Sequence, residues 1–491
     1  MTRPQRGTNT ISFLFYLFLA GALLCAATTI RASAQTYTVL DSFNFSNGGN
    51  PYAPLVQAND GNLYGTTSVG GTFGYGVIFK LTPSGALTVF YNFCSLANCA
   101  DGWAPVSGLV QATDGNLYGT TQFGGLINSS CGYGCGTIFK ITPAGVLTTL
   151  HSFAYRADGS PSLGGLVQGT DGNFYGTAKA GGSGKQGTIF RITPSGAFTV
   201  LHTFTGASDD GADPLSPPVQ ASDGNFYGVT YFGGSGGNGT IYKITPAGTF
   251  TVINNLGNFG DERYPVGGLV QAPSGELYGT TFWGGNEGLG TVLEVTLGGT
   301  LTELYSFCAA VDCADGFDPM SVLTLGSDGN FYGVTELGGA ACLQPGCGTI
   351  FKMTPAGALT TLYNFCSQSG CSDGWQPQNQ APIQATNGIF YGAVLLGGSP
   401  GFGAVYSLSM GLRPFVKPNP ATAAVGASVT ILGSALTGST SVTFNGTPAT
   451  FTVVSPSQIT TSVPAGATSG RIEVVTAHGT LQSNVNFRIQ P

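Results

Sequence analysis

Side chains able to act as a catalytic base are scarce in this sequence. It has three histidines, His151, His202 and His478. The first two occupy a recurring position that is tyrosine elsewhere, and His478 lies in a different segment. We therefore interpret His151 and His202 as packing variants, and we predict no catalytic residues. The tyrosines at the recurring position are Tyr91, Tyr305 and Tyr363.

Carboxylates are the other candidates for chemistry. Asp318 and Glu336 have the residue types that glycoside cleavage uses, and the distance between two such carboxyl groups decides whether they serve that reaction. Six further aspartates begin the connectors between units, usually with glycine next and proline four residues on, and have the setting of turn residues, which accept hydrogen bonds from their own backbone. A calcium site needs six to eight converging oxygens, so we favour the turn interpretation. The six are Asp101, Asp158, Asp210, Asp261, Asp315 and Asp373.

The cysteines after Cys25 fall in close pairs. Paired cysteines in an exported chain indicate disulfides, and local pairing is our prediction. Bridges between the loops of the first two pairs are one alternative. Zinc is another, disfavoured because the pairs lack CxxC spacing and companion histidines; we predict no metal and no cofactor. The pairs are Cys94/Cys99, Cys131/Cys135, Cys308/Cys313, Cys342/Cys347 and Cys366/Cys371.

These residues are carried by a repeat whose clearest element is the dipeptide Tyr-Gly, at positions 64, 118, 175, 227, 278, 332 and 391. Successive copies are 51 to 59 residues apart, and self-similarity at this period indicates a repeat architecture. Each unit contains four short runs rich in Val, Ile, Thr, Phe and Tyr, separated by turns such as Asp-Gly-Asn and Pro-Ala-Gly. The pattern predicts four antiparallel strands per unit and no helix.

Small residues dominate the first two strands of each unit and large ones the last two, as the wedge shape of a propeller blade requires. The last unit has only three strands, ending at 403–409, and residues 37–45 resemble the missing fourth one. We therefore predict an all-β, seven-bladed β-propeller over residues 35–412, with the N-terminal strand closing the last blade. Closure removes the open sheet edges.

One face of such a propeller receives the loops between the second and third strands and the connectors between blades. The cysteine pairs and the tryptophans lie in these segments, so we expect ligands on that face. Aromatic rings stack on sugars, and a glycan is the leading ligand hypothesis; packing between blades is the competing role for the tryptophans. The predicted ligand-binding residues are Trp103, Trp283, Trp375, Phe317, Phe123 and Tyr231.

Residues 1–34 have the features of a secretory signal peptide. Arg3 and Arg6 precede an apolar run over 11–27, and Ala32-Ser33-Ala34 forms an A-x-A cleavage site. Removing three arginines from 16 basic and 23 acidic residues changes the net charge from −7 to −10. Such a chain is a poor partner for nucleic acids, whose phosphates require cations. No later apolar run is long enough to span a bilayer.

Residues 413–491 follow a proline-rich joint and have short alternating runs without cysteine, which predicts a small immunoglobulin-like β-sandwich. Units such as LVQATDGNLYGTT and GTIFKITPAG closely resemble the GloVer repeat (Gloeo/Verruco type) of bacterial exported proteins, and the paired glycines resemble kelch propellers. The last segment resembles an IPT/TIG domain through Gly426, Phe444-Asn445-Gly446 and Val463-Pro464-Ala465-Gly466. The resemblance to the repeat family implies no particular activity.

Together these observations predict a secreted or cell-surface protein that recognises an extracellular glycan or surface protein without catalysis. Two alternatives are an extracellular hydrolase or lyase acting on polysaccharide at the same face, and a structural or adhesive surface component.

Overall fold

The computed structural model describes residues 35–127, 129–160, 164–257, 263–340, 346–378 and 381–490. The predicted signal peptide, Asp261 and Cys342 lie outside these ranges. Within them no helix is long and apolar enough to cross a membrane.

The described part of the repeat region contains seven four-stranded antiparallel sheets, which we call blades 1 to 7 in chain order. The first strand of the chain, β1 (Thr36–Ser42), belongs to blade 7. The strands of blades 1 and 2 are β2 (Val56–Gln57), β3 (Leu63–Thr67), β4 (Val77–Leu81), β5 (Leu87–Asn92), β6 (Val110–Gln111), β7 (Leu117–Thr121), β8 (Thr137–Ile141) and β9 (Leu147–Ser152). The strands of blades 3 and 4, with the short pair β14 and β17, are β10 (Leu166–Gln168), β11 (Phe174–Ala178), β12 (Thr188–Ile192), β13 (Phe198–Thr203), β14 (Gly211–Ala212), β15 (Val219–Gln220), β16 (Phe226–Thr230), β17 (Phe232–Gly233), β18 (Thr240–Ile244) and β19 (Phe250–Asn255).

The remaining blades have the same order of strands. The strands of blades 5 to 7 are β20 (Val270–Gln271), β21 (Leu277–Thr281), β22 (Thr291–Val295), β23 (Leu301–Ser306), β24 (Thr324–Leu325), β25 (Phe331–Thr335), β26 (Thr349–Met353), β27 (Leu359–Asn364), β28 (Ile383–Gln384), β29 (Phe390–Val394) and β30 (Ala404–Ser409). One-turn 3-10 helices follow blades 1, 5 and 6 at Ala97–Cys99, Val311–Cys313 and Ser369–Cys371.

Small residues in the second strand of each blade allow large ones in the third strand to pack across it. A Cβ atom on Gly119 of β7 would lie 2.6 Å from Cζ of Phe139 in β8, which is closer than carbon atoms approach one another. Phe139 is fully buried in the core between blades 1 and 2. The glycine of the Tyr-Gly dipeptide is therefore required by the packing of the blades.

The N-terminal strand completes the last sheet. β1 pairs antiparallel with β30, from Thr36 opposite Ser409 to Ser42 opposite Ala404. This pairing confirms the predicted position of the N-terminal strand.

Within the described residues, equivalent hydrogen bonds join neighbouring sheets through six of the connectors. The Ala104 N–H donates to the Tyr75 carbonyl oxygen at 2.9 Å, which links the connector into blade 2 to the loop of blade 1. In the same way, the Asn50 N–H donates to the Phe402 carbonyl oxygen at 2.9 Å and joins blade 1 to blade 7. The order of blades is thus cyclic.

The C-terminal segment forms two four-stranded sheets and a parallel pair, β32 with β40. The two larger sheets share one apolar core that includes Val429, Ile431, Phe444 and Ile472. The strands are β31 (Lys417–Asn419), β32 (Thr422–Ala424), β33 (Ser428–Leu432), β34 (Ser441–Phe444), β35 (Thr447–Pro448), β36 (Phe451–Ser455), β37 (Gln458–Ser462), β38 (Ile472–Thr476), β39 (Gly479–Gln482) and β40 (Arg488–Gln490).

These C-terminal sheets contact the propeller at the turns between the first and second strands of blades 1 and 7. The Ser457 hydroxyl donates to the Asn59 carbonyl oxygen at 2.8 Å. The Thr386 hydroxyl lies 3.0 Å from the Ser434 hydroxyl, and the Phe415 N–H donates to the Thr386 carbonyl oxygen at 2.9 Å. We call the side of the blades that carries these turns the turn face, and the opposite side, with the connectors and second-to-third-strand loops, the connector face.

Candidate functional site on the connector face

Disulfides close the loops of the connector face. The structure has bonds between residues four or five positions apart, as local pairing predicts. Cys347 is also disulfide-bonded, and its predicted partner, Cys342, lies outside the described residues. The four described bonds are Cys94–Cys99, Cys131–Cys135, Cys308–Cys313 and Cys366–Cys371.

The recurring connector aspartates are turn residues with filled hydrogen-bonding capacity. Asp101 is fully buried, and its carboxylate accepts from the N–H groups of Ser95 and Leu96 at 2.9 and 3.2 Å. It also accepts from the Tyr91 hydroxyl at 2.9 Å. Asp315 and Asp373 repeat this arrangement with tyrosine hydroxyls at 2.7 Å. These carboxylates serve the chain's own backbone, as the turn interpretation predicts.

The two histidines of the repeats replace the tyrosines in this arrangement. Nε2 of His151 lies 2.8 Å from Oδ2 of Asp158, and Nε2 of His202 lies 3.0 Å from Oδ1 of Asp210. The His202 ring stacks on Phe250 with centroids 3.8 Å apart. Their contacts are those of packing residues.

The six predicted ligand-binding residues cluster around a repeated backbone feature, which we call the rung. At each rung a connector residue pairs with a residue just beyond the second strand. Trp103 pairs with Phe123, and the rungs of the later blades hold Trp283, Phe317 and Trp375. Tyr231 directly precedes a rung residue, Phe232. The seven rungs are Gly49–Val69, Trp103–Phe123, Ser160–Ala180, Ala212–Phe232, Arg263–Trp283, Phe317–Leu337 and Trp375–Leu396.

These aromatic residues differ in how much of their surface is exposed to solvent. Trp103 is half-buried, stacks on Phe123 with centroids 4.4 Å apart, and packs on the core between blades 1 and 2. Trp375 and Phe317 are also half-buried against cores between blades. Trp283 differs, because 46% of its surface is exposed. It is the tryptophan most open to a ligand.

Trp283 belongs to a group of five aromatic residues that we call the aromatic patch: Tyr231, Phe232, Tyr264, Phe282 and Trp283. Tyr264 is central, with ring centroids 5.0 Å from Tyr231, 5.4 Å from Phe232 and 5.3 Å from Trp283. Phe282 stacks beside Trp283 at 5.8 Å, and Phe232 is 41% exposed. The patch presents a continuous aromatic surface over blades 4 and 5.

Main-chain hydrogen bonds hold the centre of the aromatic patch. The Tyr264 N–H donates to the Asn238 carbonyl oxygen of blade 4 at 2.9 Å, and the Phe282 N–H donates to the Tyr264 carbonyl oxygen at 3.0 Å. Tyr264 has a left-handed backbone with φ of 57°, which a non-glycine residue adopts only where its surroundings enforce it. The backbone that carries the Tyr264 and Phe282 rings is therefore fixed before any ligand binds.

A carboxylate lies beside the aromatic patch. Asp213 accepts a main-chain hydrogen bond from Tyr231 at 3.1 Å through its carbonyl oxygen. Burial raises the pKa of the Asp213 carboxyl, and the charge of Lys179 counteracts part of this effect. Burial, with the nearby Tyr264 and Asp213, raises the pKa of the Tyr231 phenol. The patch thus combines aromatic faces with an acceptor and a donor for hydroxyl groups.

A second group on the same face contains the two carboxyl residues singled out from the sequence. The Glu336 N–H donates to the Asp318 carbonyl oxygen at 3.0 Å, so the two residues occupy neighbouring positions in blade 6. Burial and the charge of Glu336 raise the pKa of the Asp318 carboxyl to about 7. Burial also raises the pKa of Glu336, whose Oε1 accepts a hydrogen bond from Nε2 of Gln378 at 2.6 Å.

Sequence reasoning singled out two members of the aromatic patch, Trp283 and Tyr231, and missed Phe232, Tyr264, Phe282 and Asp213. Asp213 and Tyr264 share one position, directly after a connector rung residue, and Phe282 shares its position with Tyr231. A comparison across units of the variable positions at both ends of each rung would have found them.

The fold and this face define the class of protein: it is an all-β, propeller-like repeat protein with disulfide bonds. The disulfide bonds are compatible with an extracellular location. The chain belongs to the Gloeobacter/Verrucomicrobia repeat family, which matches residues 26–222 and 213–448. An IPT/TIG domain matches residues 416–489. Both resemblances drawn from the sequence are confirmed. No curated protein matches the chain.

Solved structures show the same fold class. A virginiamycin B lyase from Staphylococcus aureus is similar with a TM-score of 0.51 and 16% identity, over 76% of this chain and 99% of the lyase. A fungal alcohol oxidase of the AA5 family, solved in complex with copper, is similar with a TM-score of 0.52 and 14% identity, over 94% of this chain and 100% of the oxidase. At these identities the likeness concerns the fold alone.

Proposed function

We propose that the protein is a secreted recognition protein, a seven-bladed propeller with a C-terminal immunoglobulin-like sandwich, that binds glycans through the aromatic patch without converting them. The observation that carries this proposal is the set of five contacting rings, of which Phe232 and Trp283 are 41% and 46% exposed. Monomeric proteins rarely expose such continuous apolar surface without a use for it.

The chemistry of the patch fits a sugar. The C–H faces of a pyranose ring stack on aromatic rings, and its hydroxyl groups need donors and acceptors at the edge of the stack. Asp213 and the Tyr231 phenol supply these beside the rings. Aromatic residues also provide a large contact area with little loss of side-chain entropy.

The arrangement of the domains favours the connector face as the ligand face. The C-terminal sheets contact the turn face at Asn59 and Thr386. The aromatic patch lies on the opposite side of the blades and stays accessible.

A glycan array tests this proposal with the wild type and the single variants Phe232→Ala and Trp283→Ala. Tyr133→Ala is the matched control, because Tyr133 lies on the same face in the loop between β7 and β8 and is 77% exposed. We expect each patch variant to bind at least tenfold more weakly, which is about 1.4 kcal/mol, and the control to bind as the wild type.

Equal binding by wild type and patch variants would refute the patch as the glycan site. Incubation of the same polymers with the wild type separates the alternatives: release of shorter products favours a polysaccharide-acting enzyme. Absence of both binding and turnover favours a structural or adhesive role.

A further inference from the structure

The carboxyl group of Asp318 stands in an unusual environment. Asp318 is 8% exposed, and within the described part of the chain its Oδ1 is buried without a hydrogen-bond partner. Asp315, three residues earlier, shows the ordinary arrangement: its carboxylate accepts from the Tyr305 hydroxyl at 2.7 Å and from the Ala309 N–H at 3.0 Å. A buried charge without a partner is costly, so a compensating group is expected at Asp318.

Groups around Asp318 increase its negative potential instead of neutralising it. Glu336 is its neighbour through the main-chain hydrogen bond of 3.0 Å, and the charge of Glu336 disfavours a charge on Asp318. The Gln378 amide occupies only Oε1 of Glu336. One oxygen of each carboxyl group is thus left for a further ligand.

The charge of Glu336 also reaches a residue in another part of the ring of blades. The charge of Glu336 contributes to a raised pKa of the Tyr52 phenol, second to burial, although Tyr52 precedes blade 1 and Glu336 lies in blade 6. Blade 7 stands between these two blades, so an interaction between their side chains requires both to lie towards the axis. Hydrogen bonds bring together the two carboxyl residues and the Gln378 amide, so the site offers carboxylate and amide oxygens.

We propose that Asp318 and Glu336 bind a divalent cation, Ca²⁺, at the axial end of the connector face. Hard oxygen donors suit Ca²⁺, which accepts flexible geometry and completes its shell with water and neutral oxygens. The Gln378 amide, which is hydrogen-bonded to Glu336, stands nearby for that role. With only two carboxylates the affinity falls in the range of extracellular sites, on the order of 10⁻⁴–10⁻³ M.

Blade 4 provides an internal comparison. Asp213 occupies the position of Asp318 there, and Tyr231 occupies that of Glu336. Lys179 supplies a positive charge near Asp213, whereas the neighbour of Asp318 is negative. We infer cation binding at blade 6 and none at blade 4.

Calorimetric titration of the full chain with CaCl₂ at pH 7.5 tests the site, supported by thermal melting in 0 and 10 mM CaCl₂. We expect one saturable site in the wild type and in Asp213→Asn, with a higher melting temperature in calcium. Asp318→Asn and Glu336→Gln should weaken binding at least tenfold and lose the thermal shift. Melting without calcium shows that each variant is folded.

The absence of saturable binding by the wild type up to 10 mM would overturn the proposal. So would binding that survives both Asp318→Asn and Glu336→Gln, or that is lost in Asp213→Asn. These outcomes do not depend on glycan binding, because the aromatic patch is intact in the two blade 6 variants.

Discussion

Tyr37 stacks on Tyr363 with ring centroids 3.8 Å apart and planes 6° from parallel. The first residue belongs to β1 and the second to blade 6, so the contact joins the start of the described chain to a sheet more than 300 residues later. The Tyr37 hydroxyl also donates to the Asp373 carbonyl oxygen at 2.7 Å. The N-terminal strand is therefore held by side chains as well as by its pairing with β30.

The variant Tyr37→Ala should destabilise the protein by about 2–4 kcal/mol, because it removes a packed aromatic ring and its stacking contact with Tyr363. Urea denaturation measures the change. Thr38→Ala, at an exposed position of the same strand, is the control and should differ little from the wild type. An unchanged denaturation midpoint for Tyr37→Ala would show that the Tyr37 ring contributes no stability.

If His202 is a packing residue, tyrosine should replace it without loss of stability. His202→Tyr should retain stability, since tyrosine makes the same contact with Asp101, Asp315 and Asp373 in other connectors. His202→Ala leaves Asp210 with one partner fewer and should cost about 1–3 kcal/mol. Thermal melting compares the two, with exposed His478→Ala as the neutral control. Equal losses for both His202 variants would contradict the interpretation.

The local disulfides should stabilise the connector loops. Replacing both Cys366 and Cys371 with serine removes a short closed loop and should cost about 2 kcal/mol from chain entropy. Denaturation of the oxidised protein measures the effect, and alkylation followed by mass spectrometry should find all four cysteines of the 94–99 and 366–371 pairs unmodified in the wild type. Alkylation of these residues without a reductant would refute the pairing.

The raised pKa of Asp318 predicts that its contribution to stability falls as the pH rises. Its native pKa of about 7 lies above that of an unfolded aspartate, about 4, so the native state holds a proton that the unfolded chain has lost. The stabilisation that comes from this proton is fully present below pH 4 and is lost as the pH rises through 7. Glu336, the charged neighbour, has a raised pKa and acts in the same direction.

The difference between wild type and Asp318→Asn isolates this contribution from other titrating groups. Without calcium, the variant should become more stable relative to the wild type between pH 4 and pH 8. Denaturant titrations at several pH values supply the comparison. A constant difference across this range would mean that Asp318 titrates at its ordinary pKa.

Sequence reasoning predicted the sheets well because each unit constrains its own packing. Gly119 and Phe139 show why. A small residue in the second strand lies opposite a large one in the third, and the recurrence of this pair in the repeat fixes how the two strands align in each blade. The missing fourth strand was equally visible, since 37–45 repeats the pattern of other fourth strands. The Asp101 turn was recognised from its local neighbours.

The candidate site was less accessible to sequence reasoning. Trp103 and Trp283 were singled out together from the sequence, but one packs on Phe123 and the other is 46% exposed. Exposure depends on the neighbouring blade, which a single unit does not encode. Tyr264 and Asp213 occur where connectors vary, and their importance comes from the groups that the ring of blades brings beside them.

The most direct test of the account is affinity electrophoresis through gels containing neutral polysaccharides, with wild type, Trp283→Ala and Tyr133→Ala in adjacent lanes. The account predicts that at least one polymer retards the wild type and Tyr133→Ala, and that Trp283→Ala migrates as in an empty gel. Retardation of Trp283→Ala equal to that of the wild type, or no retardation by any polymer, would contradict it.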